Sequence, residues 1–394
     1  MECEFNQLTP EYRLLLGPGP SPVPPRVLGA MSSQLLGHLD PDFLQIMNET
    51  MELLRYVFQT KNQLTIPMSG TGSAGMETVM VNLLEPGDKA VICVKGVFGQ
   101  RMRDIASRCG AEVIIVEAPW GEPIEPQQVK KALEKASGAK LVGIVHAETS
   151  TGVLQPLESI AKISKDYDAL LVVDAVTSLG GVEVKIDDWG IDACYSGTQK
   201  ALSCPPGLSP VTFGESAVNV LKTRKSKVQS WYLDLTMIQN YWGKERFYHH
   251  TAPINMIYAL REALRIIREE GIENRILRHK INAKALIAGL EAGGLEMIVK
   301  KQYRLPTLTT VRIPENVDDM QVRSYLLKKY GIEIGGGLGD FKGKAWRIGL
   351  MGEGSKINNV LMLLCALGDA LKHQGFNMDM ESAVNETLSI INVS

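Results

Sequence analysis

The stretch "IPMSGTGSAGMETVMVNLL" (residues 66–84) spaces Gly70, Gly72 and Gly75 as G-x-G-x-x-G, the turn that opens a dinucleotide-binding βαβ unit. Such a unit also needs an acidic residue about 20 positions on, at the end of the second strand, to bind ribose hydroxyls. Here the next strand, "KAVICV", runs into Lys95, and Asp88 lies in the Pro-Gly-Asp turn before it. The acid is missing where it is needed. What survives is a more general anion site: amides of Gly72, Ser73 and Ala74 opening the helix "AGMETVMVNLL", the helix dipole behind them, and the hydroxyls of Thr71 and Ser73 beside them.

Outward from this loop, from Leu64 to about Phe213, short apolar runs alternate with amphipathic segments. The strand candidates are "KAVICV", "AEVIIVEA", "AKLVGIVHAET", "ALLVVDAV", "DACYSG" and "SPVTFG"; "PQQVKKALEKAS" and "LESIAKISKDY" read as helices between them. This is the grammar of an α/β fold with a mostly parallel sheet covered by helices on both faces. Beyond the aromatic stretch "QSWYLDLTMIQNYWGKERFYHH", residues 254–293 read as long connecting helices, and alternating strands and helices follow in a smaller α+β unit. The expected division is an N-terminal arm (1–20), a large domain (21–253), connecting helices (254–293) and a small C-terminal domain (294–394).

A chain of 394 residues exceeds one ordinary core. Lys plus Arg (42) nearly balance Asp plus Glu (44), which leaves no basic footprint for nucleic acid and no polybasic membrane patch. The apolar runs are strand-sized, far short of the roughly 20 residues that span a bilayer. The acidic N-terminus lacks the basic region of a secretory signal, and six scattered cysteines contain no C-x-x-C pair. A cytoplasmic enzyme of small molecules, without a metal site, is the expectation.

Asp174 ends the apolar strand "LLVVD", and Lys200 follows in "YSGTQK". With a phosphate cup they supply the three contacts that pyridoxal 5′-phosphate requires: a phosphate site, a carboxylate for the pyridine nitrogen, and an amine for the aldehyde.

At this point the sequence resembles the fold-type I, class V aminotransferases, and among them the alanine–glyoxylate and serine–pyruvate group. The resemblance runs from "LLLGPGPSPVPPRV" through the glycine stretch, "HAETSTGVLQP", "VDAVTSLGG" and "YSGTQKALSCPPG" to "YHHTAP", "RLPTLTTV" and "RIGLMG", over roughly residues 12–372. It implies that Lys200 binds the cofactor aldehyde and then serves as general base, and that Asp174 pairs with the pyridine nitrogen. Phe98 would stack on the ring, where the family commonly has Trp. Thr71, Gly72, Ser73 and Gln199 would form the phosphate cup, completed by Tyr248 and Thr251 of a partner subunit, so a homodimer with shared sites is implied. Thr149 and Ser178 would lie near the ring edge. Arg347 would grip the substrate α-carboxylate with a planar fork, and Gly17, Pro18 and Gly19 would wall the pocket. His38 and Asn255 are pocket candidates. The adjacent His249 and His250 are expected to point to different sides and to hold no metal.

The implied reaction is transamination from alanine or serine to glyoxylate. Ureidoglycine–glyoxylate and kynurenine-type transamination use the same catalytic set. Cysteine desulfuration needs a nucleophilic cysteine on a mobile loop, for which Cys204 and Cys365 are poorly placed, and a nicotinamide-binding module leaves Asp174, Lys200 and Arg347 unexplained.

Overall fold

The computed structural model describes residues 7–392. Its large sheet has seven strands: β1 (Leu64–Ser69), β2 (Lys89–Val94), β3 (Glu112–Glu117), β4 (Leu141–Val145), β5 (Leu170–Asp174), β6 (Ala193–Tyr195) and β7 (Leu208–Phe213). They lie in the order β1-β7-β6-β5-β4-β2-β3. All neighbours are parallel except β7, which runs antiparallel to β1 and β6. Strands β4 and β5 are buried at every position, as continuous apolar runs between two helical layers must be. The edge strand β3 instead exposes Glu112, Ile115 and Glu117 to solvent.

Helix α1 (Pro41–Phe58) precedes the sheet, capped by the Asp40 carboxylate, which accepts from the Asp42 amide at 2.9 Å. The crossovers carry α2 (Gly72–Leu83), α3 (Val97–Arg108), α4 (Pro126–Ala136) and α5 (Glu158–Asp166). Because β4, β5 and β6 are parallel and in register, Val145 lies opposite Asp174 and Asp174 opposite Tyr195. Their carboxyl ends therefore form one rim, the place where open α/β sheets collect ligands.

Two expectations differ in detail. The run "AKLVGIVHAET" does not continue as one strand. After Val145 the His146 amide donates to the Asp174 carbonyl at 3.0 Å, and Ala147–Glu148 turns away to pair with Val153–Leu154. Strand β1, which the apolar runs did not single out, carries Pro67 opposite Pro210 of β7; an outer strand with one neighbour tolerates the missing amide.

Helices α6 (Ile254–Glu270) and α7 (Ile272–Ala292) lead to a three-stranded antiparallel sheet of β8 (Leu308–Arg312), β9 (Gly335–Gly336) and β10 (Ala345–Gly349), in the order β8-β10-β9. This sheet packs with α7, α8 (Ile357–Lys372) and α9 (Met380–Asn392) around a second core that includes Leu290, Trp346, Ile348 and Leu364. Leu14–Leu15 near the N-terminus pair in parallel with Ile332–Glu333 of this smaller unit. Among the described residues no helix is long and apolar enough to cross a membrane.

Candidate active site

Asp174 stands at the end of β5, 2% exposed. Its Oδ1 accepts from the Val176 amide at 2.8 Å and its Oδ2 from the Tyr195 hydroxyl at 2.7 Å. Burial pushes the carboxyl up to about 6, against the downward pull of those two hydrogen bonds. Tyr195 reaches the carboxylate because the β5–β6 register sets the two residues opposite each other.

Behind the same rim lies a second layer of buried charge. Lys95, 1% exposed, donates from Nζ to the Val145 carbonyl, and burial pushes its ammonium down to about 8 with Glu148 opposing. Glu148 is fully buried and accepts from the Ser150 hydroxyl at 2.5 Å and the Gly99 amide at 3.4 Å. It thus meets the N-terminus of α3, whose Val97 amide donates to Ser150 Oγ at 3.0 Å. A Cβ on Gly96 would stand 2.5 Å from the Glu148 carboxyl carbon, so only glycine lets the strand end pass. These contacts fix the helix that carries Phe98.

The cup and the lysine loop approach closely. A Cβ on Gly72 would lie 3.3 Å from Val176, and one on Gly197 would lie 3.4 Å from the Gly72 Cα. Residues that follow β5, open α2 and precede Lys200 thus share one space. Gly70, at φ +126°, makes the turn into the cup. One expected donor drops out: the Ala74 amide is committed to the Thr71 carbonyl at 2.7 Å. The Gly72 and Ser73 amides, in the first helical turn, have no intrahelical acceptor.

Lys200 Nζ donates to the Pro18 carbonyl. Ser21 fastens the loop, its amide on the Gln199 carbonyl at 2.9 Å and its hydroxyl on the Lys200 carbonyl at 2.7 Å. Burial pushes the Lys200 amine down to about 8, aided by Arg347 and opposed by Asp174. Gly19, at φ +112°, faces this amine: a Cβ there would come within 2.5 Å of Nζ. Pro18 and Gly19 therefore bear on the lysine itself, while Gly17 lies against the backbone of Ile334 and Gly335.

Arg347, on β10, is buried, and burial pushes its guanidinium down to about 10, so it stays charged. Nε donates to the Gly336 carbonyl at 2.8 Å and Nη1 to the Thr149 carbonyl at 3.1 Å. Nη2 has no acceptor among the described residues. Thr149 contributes that carbonyl, while its hydroxyl bonds Thr177 Oγ1. Ser178 Oγ and Gln199 Oε1 are buried without partners.

Several other sequence candidates lie outside this cluster. Tyr248 and Thr251 are exposed and make no hydrogen bond to their own chain's cup. The Asn255 amide is committed to the Met31 and Ser33 carbonyls, and the His38 ring sits 5.1 Å from that of Tyr248. His249 and His250 do not diverge: in this irregular segment their Nδ1 atoms lie 2.8 Å apart, and His250 Nε2 pairs with Ser69 Oγ at 2.9 Å, next to the cup. Among the described residues no cluster of three His, Cys, Asp or Glu suits a metal. Cys204 is buried with its thiol pushed up by burial, and Cys365 sits on the exposed side of α8.

The Aminotransferase class-V pattern matches residues 13–339. The chain belongs to the class V aminotransferases. This aminotransferase is 44% identical to the alanine–glyoxylate aminotransferase of Callithrix jacchus, over 92% of this chain and 88% of that one. It is 40% identical to the (S)-ureidoglycine–glyoxylate transaminase of Bacillus subtilis (strain 168), over 98% and 97%. The crystal structure of an alanine–glyoxylate aminotransferase from Nostoc sp. superposes with a TM-score of 0.92 at 50% identity, covering 94% of this chain and 98% of that one.

The cofactor of this aminotransferase is pyridoxal 5′-phosphate, and the residues present fit it. The orphaned Ser178 Oγ is a polar atom awaiting a partner, and the buried Asp174 carboxylate lies near enough to the Lys200 amine to favour its charged form. Sequence reasoning overlooked Tyr195 and Glu148. Each stood inside a quoted motif, "YSGTQK" or "HAETSTGVLQP", but its contact depends on sheet register or loop path.

Proposed function

We propose that this aminotransferase moves the amino group of a small amino acid, alanine or serine, to glyoxylate, giving glycine and pyruvate or hydroxypyruvate. The observation that carries the reading is the pairing of a single fixed guanidinium, Arg347, with a wall that presses directly on Lys200. One anchor takes the α-carboxylate and the wall leaves little room beyond Cα.

Pyridoxal 5′-phosphate supplies the carbonyl that takes up the amino group and the ring that draws electron density from Cα. The protein does the rest. Arg347 holds the donor carboxylate and so fixes the Cα–H bond in direction. Lys200, whose amine is held near 8 by burial, removes the Cα proton and returns it at the cofactor C4′ carbon, a contribution of roughly 10²- to 10⁴-fold for a positioned base. Asp174 binds the pyridine nitrogen, with Tyr195 and the Val176 amide keeping its carboxylate aimed. Phe98 covers the ring face. Thr71, Gly72, Ser73 and Gln199 take the phosphate together with Tyr248 and Thr251 of a second subunit, so the working unit is a homodimer, active in the cytoplasm.

The motifs supply no second arginine for a side-chain carboxylate, and burying one unpaired would cost several kcal/mol. Aspartate and glutamate are therefore expected to be poor donors. The relative from Bacillus subtilis, similar over nearly the whole chain, supports a second reading in which ureidoglycine is the donor. The test is kcat/KM for alanine, serine, ureidoglycine, aspartate and glutamate with glyoxylate as acceptor. Preference for alanine or serine is the expected result; preference for glutamate would overturn the single-anchor pocket.

A further inference from the structure

The phosphate cup lacks a cation. Thr71, Gly72, Ser73 and Gln199 offer only neutral donors, and a helix N-terminus adds about half a positive charge, against a phosphate monoester carrying roughly −1.5 to −2 near neutral pH. The other cations of the site are committed elsewhere: Lys95 to the Val145 carbonyl, Lys200 to the Pro18 carbonyl, and Arg347 to those of Gly336 and Thr149.

Arg101 is not so committed. It lies on α3 one turn beyond Phe98, on the same face of the helix. Its guanidinium carbon sits 5.1 Å from the Phe98 ring centroid, and Nη1 donates to Ser73 Oγ at 3.1 Å. It joins no ion pair among the described residues. An exposed arginine without an acid partner, resting on the ring that covers the cofactor and bonded to a cup residue, is poised for an anion. The bond to Ser73 is also polar in the useful sense: Oγ accepts from Arg101, which leaves the hydroxyl proton for an acceptor on the other side.

We propose that Arg101 is the cationic ligand of the cofactor phosphate, acting directly and through Ser73, and that it supplies the charge the neutral cup lacks. This rests on the assignment of pyridoxal 5′-phosphate as cofactor. The guanidinium has a second use, since it holds the outer side of Phe98 while binding the phosphate, so ring and phosphate are gripped from one helical turn.

The test uses apoprotein and two probes, pyridoxal 5′-phosphate and pyridoxal, which differ only in the phosphate group. Equilibrium binding is followed by protein fluorescence for the wild type, Arg101→Gln, Arg101→Lys and Ser73→Ala. Arg101→Gln is expected to weaken the phosphorylated compound roughly 10- to 100-fold, the range for losing a charge-assisted hydrogen bond, and to weaken pyridoxal far less, by the lost support of Phe98 alone. Arg101→Lys is expected to recover part of the loss, and added salt to narrow the gap between wild type and Arg101→Gln. Equal weakening of both compounds would overturn the proposal and assign Arg101 to packing against Phe98, as would unchanged binding of the phosphorylated compound. If Ser73→Ala matched Arg101→Gln and the double variant were no worse, the direct contact would be refuted. A wild-type apoprotein that bound neither compound would overturn the cofactor assignment, and the role of Arg101 with it.

Discussion

Replacing Tyr195 by Phe removes one oxygen from a fully buried position and tests how the site holds its carboxylate. In the wild type the Asp174 carboxyl is pushed from 3.8 to about 6 by burial, worth about 3 kcal/mol against the ionised form. The folded carboxyl binds its proton more tightly than the unfolded one. Asp174 therefore contributes fully to stability below pH 4 and progressively less as pH rises through about 6. The Tyr195 hydroxyl, 2.7 Å from Oδ2, offsets part of that loss, because a hydrogen bond to a charged group is worth about 1.5–3 kcal/mol and one to the neutral acid about 1. Tyr195→Phe should thus destabilise the apoprotein by about 1 kcal/mol at pH 5 and by about 1.5–3 kcal/mol at pH 8. The assay is urea denaturation of wild type and variant apoprotein at pH 5, 6, 7 and 8. Lys95, Glu148 and His146 on the neighbouring strands are common to both proteins, so the difference isolates the Tyr195–Asp174 bond. A difference that is constant across the range, or larger at pH 5, would refute the reasoning.

Gly19→Ala should slow turnover by at least an order of magnitude and lower the fraction of protein that reacts with the cofactor aldehyde, because the new Cβ would stand 2.5 Å from Lys200 Nζ at a φ of +112°; near-wild-type kcat would show that the wall does not constrain the lysine. Mixed dimers of Lys200→Ala chains with Tyr248→Phe, Thr251→Ala chains should regain one intact site per dimer if the phosphate donors cross the interface, and no recovery after demonstrated subunit exchange would count against sharing.

Much of the site could be read from local sequence because its parts sit where an apolar run stops. Asp174 closes "LLVVD" and the cup follows a glycine turn, so the end of a strand and the start of a helix were visible without a structure. The contacts that aim these groups were not. Tyr195 meets Asp174 only through the pairing of β5 with β6, and Gly19 meets Lys200 across a long chain separation that no spacing rule reports. The histidine pair shows the opposite limit: alternation of side chains is a property of regular backbone, and residues 249 and 250 lie in neither helix nor strand, so the two rings can meet edge to face with their Nδ1 atoms 2.8 Å apart. The break after Val145 escaped notice because the His146 amide, not a side chain, decides the path.

The short segment from Leu15 to Lys200's carbonyl partner ties two bodies together. Leu15 is laced into the smaller unit beside Glu333, the Leu16 carbonyl accepts from the Gly349 amide at 2.8 Å, and Pro18, two residues later, holds the lysine. Three residues fully extended reach only roughly 10 Å, so the segment is a tether with little slack. Any swing of the smaller unit, which also carries Arg347, draws on the same few peptide bonds that bear on the amine. Arg347 and the Lys200 amine therefore share one leash, the stretch of chain from Leu15 to Pro18.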